Sequence, residues 1–188
     1  MCGENPPVIY DIQAIQQAVE HVKAHLMTLH AITGSDTASA IFGQGKKKAF
    51  LLAQKESLDV LNVFENSGSS KDDIACAGEQ FLLKLYGART FTTLDKYRYT
   101  RYNQSVSRSS LSSCLKLESL PPTCAAAAQH SYRTYITVQQ WRENKLNPTD
   151  WGWRVYDNMM IPVETDKDTA PSSLLNLVSC GCKTGCGK

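Results

Sequence analysis

"HAITGSDTASAIFGQGKKKAF", residues 30–50, joins two apolar patterns through one aspartate, two closely spaced glycines and three consecutive lysines. Glycine tolerates the backbone reversals that end helices and make tight turns, so Gly34 is expected to stop the preceding helix and Gly43 and Gly45 to shape a turn. Lys46 then opens a short helix, "KKKAFLLAQK" over 46–55, with Ala49 leaving room for helix packing. A turn that points its amides outward, followed by the positive end of a helix dipole, grips phosphate without regard to sequence. Lys46, Lys47 and Lys48 add charge there, and amides and ammonium groups are expected to converge on one surface patch.

Upstream, Ile12, Ile15, Val19, Val22, Leu26 and Leu29 recur at spacings of three and four, which predicts one continuous helix capped at Asp11. His21 and His25 lie four apart on it, a metal-ligand spacing, but no third ligand is near and they read as a polar flank. Downstream, "ESLDVLNVFEN" (56–66) places Leu58, Leu61 and Phe64 on one side of a helix. "SGSSKDD" (67–73) breaks the chain and supplies a cap for a helix burying Ile74, Ala77, Phe81, Leu82 and Leu85. Residues 1–88 thus read as one helical domain.

Residues 89–145 form a second region, basic and rich in aromatics. Lys96, Arg98 and Arg101 interleave with Tyr97, Tyr99 and Tyr102. Such a pattern either stacks on bases while neutralising phosphates, or lies over the domain surface. "LESLPPT" (117–123) stops it, and "CAAAAQHSYRTYITVQQWREN" (124–144) reads as helix, although its β-branched and aromatic centre also suits a strand. Residues 146–188 form the third region. "WGWRVYDNMMIPVETD" (151–166) predicts a hairpin about Asp157-Asn158, with Trp151 and Trp153 on one strand face, either stacking on a base or packing the hairpin down.

The net charge of +2 conceals an uneven distribution. Lys and Arg number seven against ten acids in 1–88, nine against three in 89–145, and four against five in 146–188. A basic middle favours a polyanionic partner or is simply a solvated face. With no apolar run long enough for a bilayer, no leader pattern and an odd seven cysteines, the chain is expected to be intracellular rather than secreted. Cys180, Cys182 and Cys186 present three thiols at C-x-C-x3-C spacing, a partial zinc set lacking a fourth ligand.

The run "GSDTASAIFGQGKKKA" (34–49), followed by "KESLDVLNVF" (55–64), resembles the helix-two-turn-helix region of the flap endonuclease group of structure-specific 5′ nucleases. That resemblance spans about residues 30–65; with the helices and hairpin read above, the expected fold class is mainly α, a helical bundle containing a helix-two-turn-helix-like motif, with a small β-hairpin near the C-terminus. It implies that Asp36 matches a metal-holding carboxylate and that Gly43 to Lys48 match the part gripping duplex DNA, with Mg²⁺ or a monovalent cation as the implied ion. The three consecutive lysines depart from the family, which has a proline or small residue in that turn. The family also places its other acids in a sheet domain ahead of this segment, whereas only 35 residues precede Asp36 here. Two-metal hydrolysis needs several carboxylates, so the chain alone is expected not to cut nucleic acid; within a longer chain it would be nuclease-like.

More widely, "LPPT" (120–123), "QHSYRTY" (129–135), "WGW" (151–153) and "APSSLLNLVSCGCKTGC" (170–186), in order after the first motif, resemble an uncharacterised, mobile-element-like family of animal genomes. The tail resembles the opening of tesmin-like cysteine-rich DNA-binding modules. The resemblance implies a fragment or degenerate copy, a nucleic-acid partner, DNA before RNA, and a nuclear rather than cytoplasmic place of action. Oligomeric state is not legible. A nucleophilic enzyme would need a base beside a Ser or Cys in recognisable context, and a nucleotide-phosphate loop would need the spacing that "GQGKKKA" (43–49) lacks. The expected function is a backbone-binding module for nucleic acid, with a non-enzymatic protein-interaction role as the alternative.

Overall fold

The computed structural model of the chain describes residues 9–108 and 116–167. They form a mainly helical body with a two-stranded antiparallel hairpin near the C-terminal end, as the sequence pattern predicts. Cys180, Cys182 and Cys186 lie outside the described residues. No helix among the described residues is long and apolar enough to cross a membrane.

Helix α1 (Ile12–Val19) begins on Asp11, whose carboxylate accepts from the Ala14 amide at 3.0 Å. The single long helix expected from the apolar stripe does not form. After α1 the chain tightens into a 3-10 segment, Glu20–His25, before α2 (Leu26–Ile32). Its breaks fall at Val19 (φ −106°, ψ 4°) and His25 (φ −109°, ψ 1°). The cause is tertiary: α1 buries no residue, whereas Val22 is 1% exposed, and three-residue turns bring it onto the core.

Helix α3 (Lys46–Ala53) follows the glycine turn, and α4 (Asn62–Glu65) completes the turn that buries Leu58, Leu61 and Phe64. Helix α5 (Lys71–Tyr86) starts on Ser70, whose hydroxyl accepts from the Asp73 amide at 3.1 Å, and ends on Gly87 at φ +75°. Its expected apolar face, Ile74, Ala77, Phe81, Leu82 and Leu85, is buried throughout. Helix α6 (Leu94–Arg108) is anchored chiefly by its first turn, where Leu94 is fully buried.

Helix α7 (Cys124–Trp141) is the centre of the body and packs on α2, α4 and α5. Ala127 and Tyr135 share one core with Ile32, Leu61, Phe64 and Phe81, so residue 88 marks no boundary of that core. The α5–α7 crossing is closest at Gly78, where a Cβ would stand 1.8 Å from the Ser131 hydroxyl oxygen.

Because α7 is enclosed, its polar residues must find partners inside the protein. Several of them hold backbone carbonyls of the neighbouring helices and loops. His130 Nε2 meets the Ile32 carbonyl at 2.8 Å, Gln139 Nε2 donates to Phe64 at 2.8 Å, and the Tyr135 hydroxyl donates to Asn66 at 3.0 Å. Arg133 donates to the carbonyls of Gly152 and Val163, which bracket the hairpin.

Strands β1 (Trp153–Tyr156) and β2 (Met159–Pro162) meet at Asp157 (φ +48°) and Asn158 (φ +59°), the two left-handed residues of a type I′ turn. The tryptophans do not share a strand face. Trp151 precedes β1 and packs on Tyr135 and Tyr132 of α7, ring centroids 4.5 and 6.3 Å away. Gly152, at φ +81° and close against the Gln129 carbonyl, turns the chain between them.

Candidate functional site

The segment from Thr33 to Gly45 is fixed from below by α7. Thr33 closes α2 by donating to the Leu29 carbonyl at 2.6 Å. Gly34, at φ +113°, lets the chain fold back until Ala40 touches it; a Cβ there would lie 2.8 Å from the Ala40 Cα. The Ser35 amide donates to Ala38 at 2.8 Å, and the Thr37 and Thr137 hydroxyls share a hydrogen bond of 2.7 Å. This arrangement buries Ala38 and leaves Asp36 exposed.

Among the described residues no group of three or more His, Cys, Asp or Glu side chains is placed to hold a metal ion. A lone exposed carboxylate does not fit the several-acid set that Mg²⁺ hydrolysis requires. His21 and His25 fall in the 3-10 segment, where residues four apart are rotated by about 120° rather than stacked on one face.

Gly43 sits at φ +67°, the left-handed region. Gly45 (φ −81°, ψ 175°) is the N-cap of α3 and supplies no side-chain hydrogen bond to it. A Cβ on either glycine would meet nothing within 4 Å, so the turn is open to solvent rather than crowded. Among the described residues the amides of Gly43, Gly45, Lys46 and Lys47 have no partner, while those of Gln44 and Lys48 are used at the turn.

The ammonium groups do not converge as expected. Successive helix residues advance about 100°, so Lys46 to Lys48 fan round the start of α3. Lys46 donates back to the Gly34 carbonyl, Lys48 donates to Gln44 Oε1 at 2.5 Å, and Lys47 has no partner among the described residues. The turn leaves four unpaired backbone amides at the approach to α3, with three exposed lysines spread around the helix start.

The basic residues of α6 divide in the same way. Lys96 and Arg101 are exposed, but about 140° apart around the helix. Arg98 turns inward and donates to the Pro121 carbonyl. Of the interleaved tyrosines, Tyr97 packs on Phe91 with ring centroids 5.0 Å apart, whereas Tyr99 and Tyr102 face outward at 69% and 43% exposure. The helical period separates residues that look adjacent in an alternating sequence.

One feature had no sequence signal. A cleft of about 290 Å³ opens beside the glycine turn, between residues 40–42, the end of α5, Arg98 and residues 117–122. His130 of α7 lines it. Burial depresses the pKa of this imidazole below its usual value, with the nearby Arg133 charge acting in the same direction. A carbonyl can only accept, so the bond to Ile32 places the ring proton on Nε2 and leaves Nδ1 a bare acceptor. These residues are distant in sequence and follow no motif spacing.

The Cys124 thiol is held in its protonated form. It donates to Glu79 Oε1 at 2.9 Å, and burial followed by that bond pushes its pKa up to about 12. Glu79 also accepts from the Leu94 amide at 2.7 Å, and Asp95 from the Cys124 amide at 2.8 Å. The group is a joint between the starts of α6 and α7.

No family model matches this chain, and neither a curated protein nor a solved structure is significantly similar to it.

Proposed function

We propose that the chain is a backbone-binding module for nucleic acid, DNA before RNA, acting in the nucleus rather than the cytoplasm. One observation carries the reading: the amides of Gly43, Gly45, Lys46 and Lys47 are free on an open surface at the positive end of α3, whose first three residues are exposed lysines. Unpaired helix-start amides favour a negatively charged partner, and phosphate oxygens satisfy them without reading sequence. Lys96 and Arg101 add exposed positive charge on α6, on different sides of that helix. The proposal includes no cleavage step, because Asp36 stands alone among the described residues.

Binding of this kind releases counterions, so the logarithm of the affinity should fall linearly with the logarithm of salt, with a slope of about −0.9 per phosphate contacted. The test is a fluorescence-anisotropy titration of a short duplex at several salt concentrations. Replacing Lys46, Lys47 and Lys48 by glutamate should weaken binding and flatten the slope while circular dichroism stays helical, since all three side chains are exposed. Salt-independent binding, or equal slopes for the two proteins, overturns the reading.

A second reading, a protein-interaction surface, has its own observation. Ile9, Tyr10, Ile12 and Ile15, on and before α1, are 92%, 68%, 62% and 45% exposed. Equal behaviour of the native and triple-glutamate chains favours it.

A further inference from the structure

The cleft beside the glycine turn combines three kinds of wall. Ile41 contributes an apolar surface, Tyr86 and Phe42 contribute aromatic rings, and Arg98, Glu118 and His130 contribute polar groups. Phe42 is 57% exposed and immediately precedes Gly43, so its ring stands at the lip beside the free amides. A large aromatic exposed next to a cationic turn has no role in the core and is free to stack on a ligand.

The polar groups limit what fits. Arg98 spends one N–H on the Pro121 carbonyl and, as a guanidinium, retains others. Glu118 is exposed and offers acceptors, and His130 Nδ1 offers one more. A wholly apolar occupant would cover these groups without pairing them, which is unfavourable. A planar heterocycle with donors and acceptors along its edge satisfies them and offers a face for the aromatic lip.

We propose that this cleft seats one unstacked nucleobase, stacked on Phe42, while the phosphate of the same nucleotide rests on the open start of α3. The inference rests on the backbone-binding reading above and deepens it: the module recognises a place where a base is unpaired, such as a strand end or junction. Arg98, Glu118 and His130 meet the base edge. Stacking tolerates any base, since each has a π face.

The test compares three probes in the same buffer: a blunt duplex, that duplex with one unpaired adenosine at an end, and the same overhang with an abasic residue in place of adenosine. Because a base can stack on Phe42 and an abasic residue cannot, the adenosine overhang should bind about tenfold more tightly than the abasic one. Phe42→Ala should abolish that difference and leave blunt-duplex affinity and salt slope unchanged; Phe42 is largely exposed, so the variant should fold. Equal affinity for adenosine and abasic ends, with salt-dependent duplex binding retained, overturns the inference and leaves the module reading standing. Absence of binding to every probe overturns both. Adenosine monophosphate binding as tightly as the overhang overturns the assignment to a strand and transfers the cleft to a free nucleotide.

Discussion

Gly78→Ala tests the packing on which the body depends. In an ordinary helix interior this substitution stabilises by about 1 kcal/mol, because alanine gives up less backbone freedom on folding. Here the new methyl would sit 1.8 Å from the Ser131 hydroxyl oxygen and 2.8 Å from the Ser131 Cβ. Rotating the hydroxyl away breaks its 2.8 Å bond to the Ala127 carbonyl and leaves the Cβ clash untouched. The α5 and α7 backbones must separate, and overpacking of this kind costs about 1–3 kcal/mol or more. With two contacts this close the cost falls in the upper part of that range, about 2–3 kcal/mol, and outweighs the propensity gain by about 1–2 kcal/mol, roughly a fifteenth to two-fifths of the ~5–15 kcal/mol available to a domain. Urea unfolding should show a midpoint lower by about 1 M at unchanged slope. The partner substitutions sharpen the test: Ser131→Ala removes only the hydroxyl and should rescue Gly78→Ala little, whereas Ser131→Gly removes the Cβ and should rescue most of the loss beyond its own cost. A Gly78→Ala chain as stable as the native one, or the absence of any coupling to Ser131→Gly, would refute the close crossing.

Two further outcomes follow from the geometry. His130 is held neutral by burial, so its folded pKa lies below the unfolded value of 6.5; its contribution is complete above that value and is lost as pH falls through 6.5 toward the folded pKa. Melting temperature should therefore drop between about pH 7 and pH 5 more steeply in the native chain than in His130→Gln. Gly43→Ala, forced to keep φ +67°, should cost about 1 kcal/mol, while Gly45→Ala, at φ −81° with open space about it, should change stability by less than about 0.5 kcal/mol in chemical denaturation.

The parts of the fold written locally were legible in the sequence. Asp11 and the serine-rich segment holding Ser70 announce helix starts by their own chemistry, and Asp157-Asn158 announces its turn. The apolar face of α5 follows from its period alone. What was not legible depends on partners remote along the chain. The break after Val19 has no proline or glycine to signal it and answers to where the core lies. The central position of α7 was hidden because polar residues such as Thr134, Thr137 and Gln139 look like a solvated face until their carbonyl partners are known. The glycine turn was legible, but not the direction of its lysines, since spacing gives the angle around a helix and not the carbonyl or amide within reach of an ammonium.

The same partners explain why an exposed turn can act as a fixed site. A loop that must be ordered on binding loses affinity to the entropy of ordering. Here the chain is held before the glycines are reached: His130 holds the end of α2 through Ile32, Thr137 holds Thr37, Ala40 packs against Gly34, and Lys46 returns to the Gly34 carbonyl. Two of these anchors come from one helix, α7, whose polar side chains lie two turns apart. The buried polar residues therefore serve two ends. They satisfy α7 inside the core, and they hold in place the segment that leads into the glycine turn.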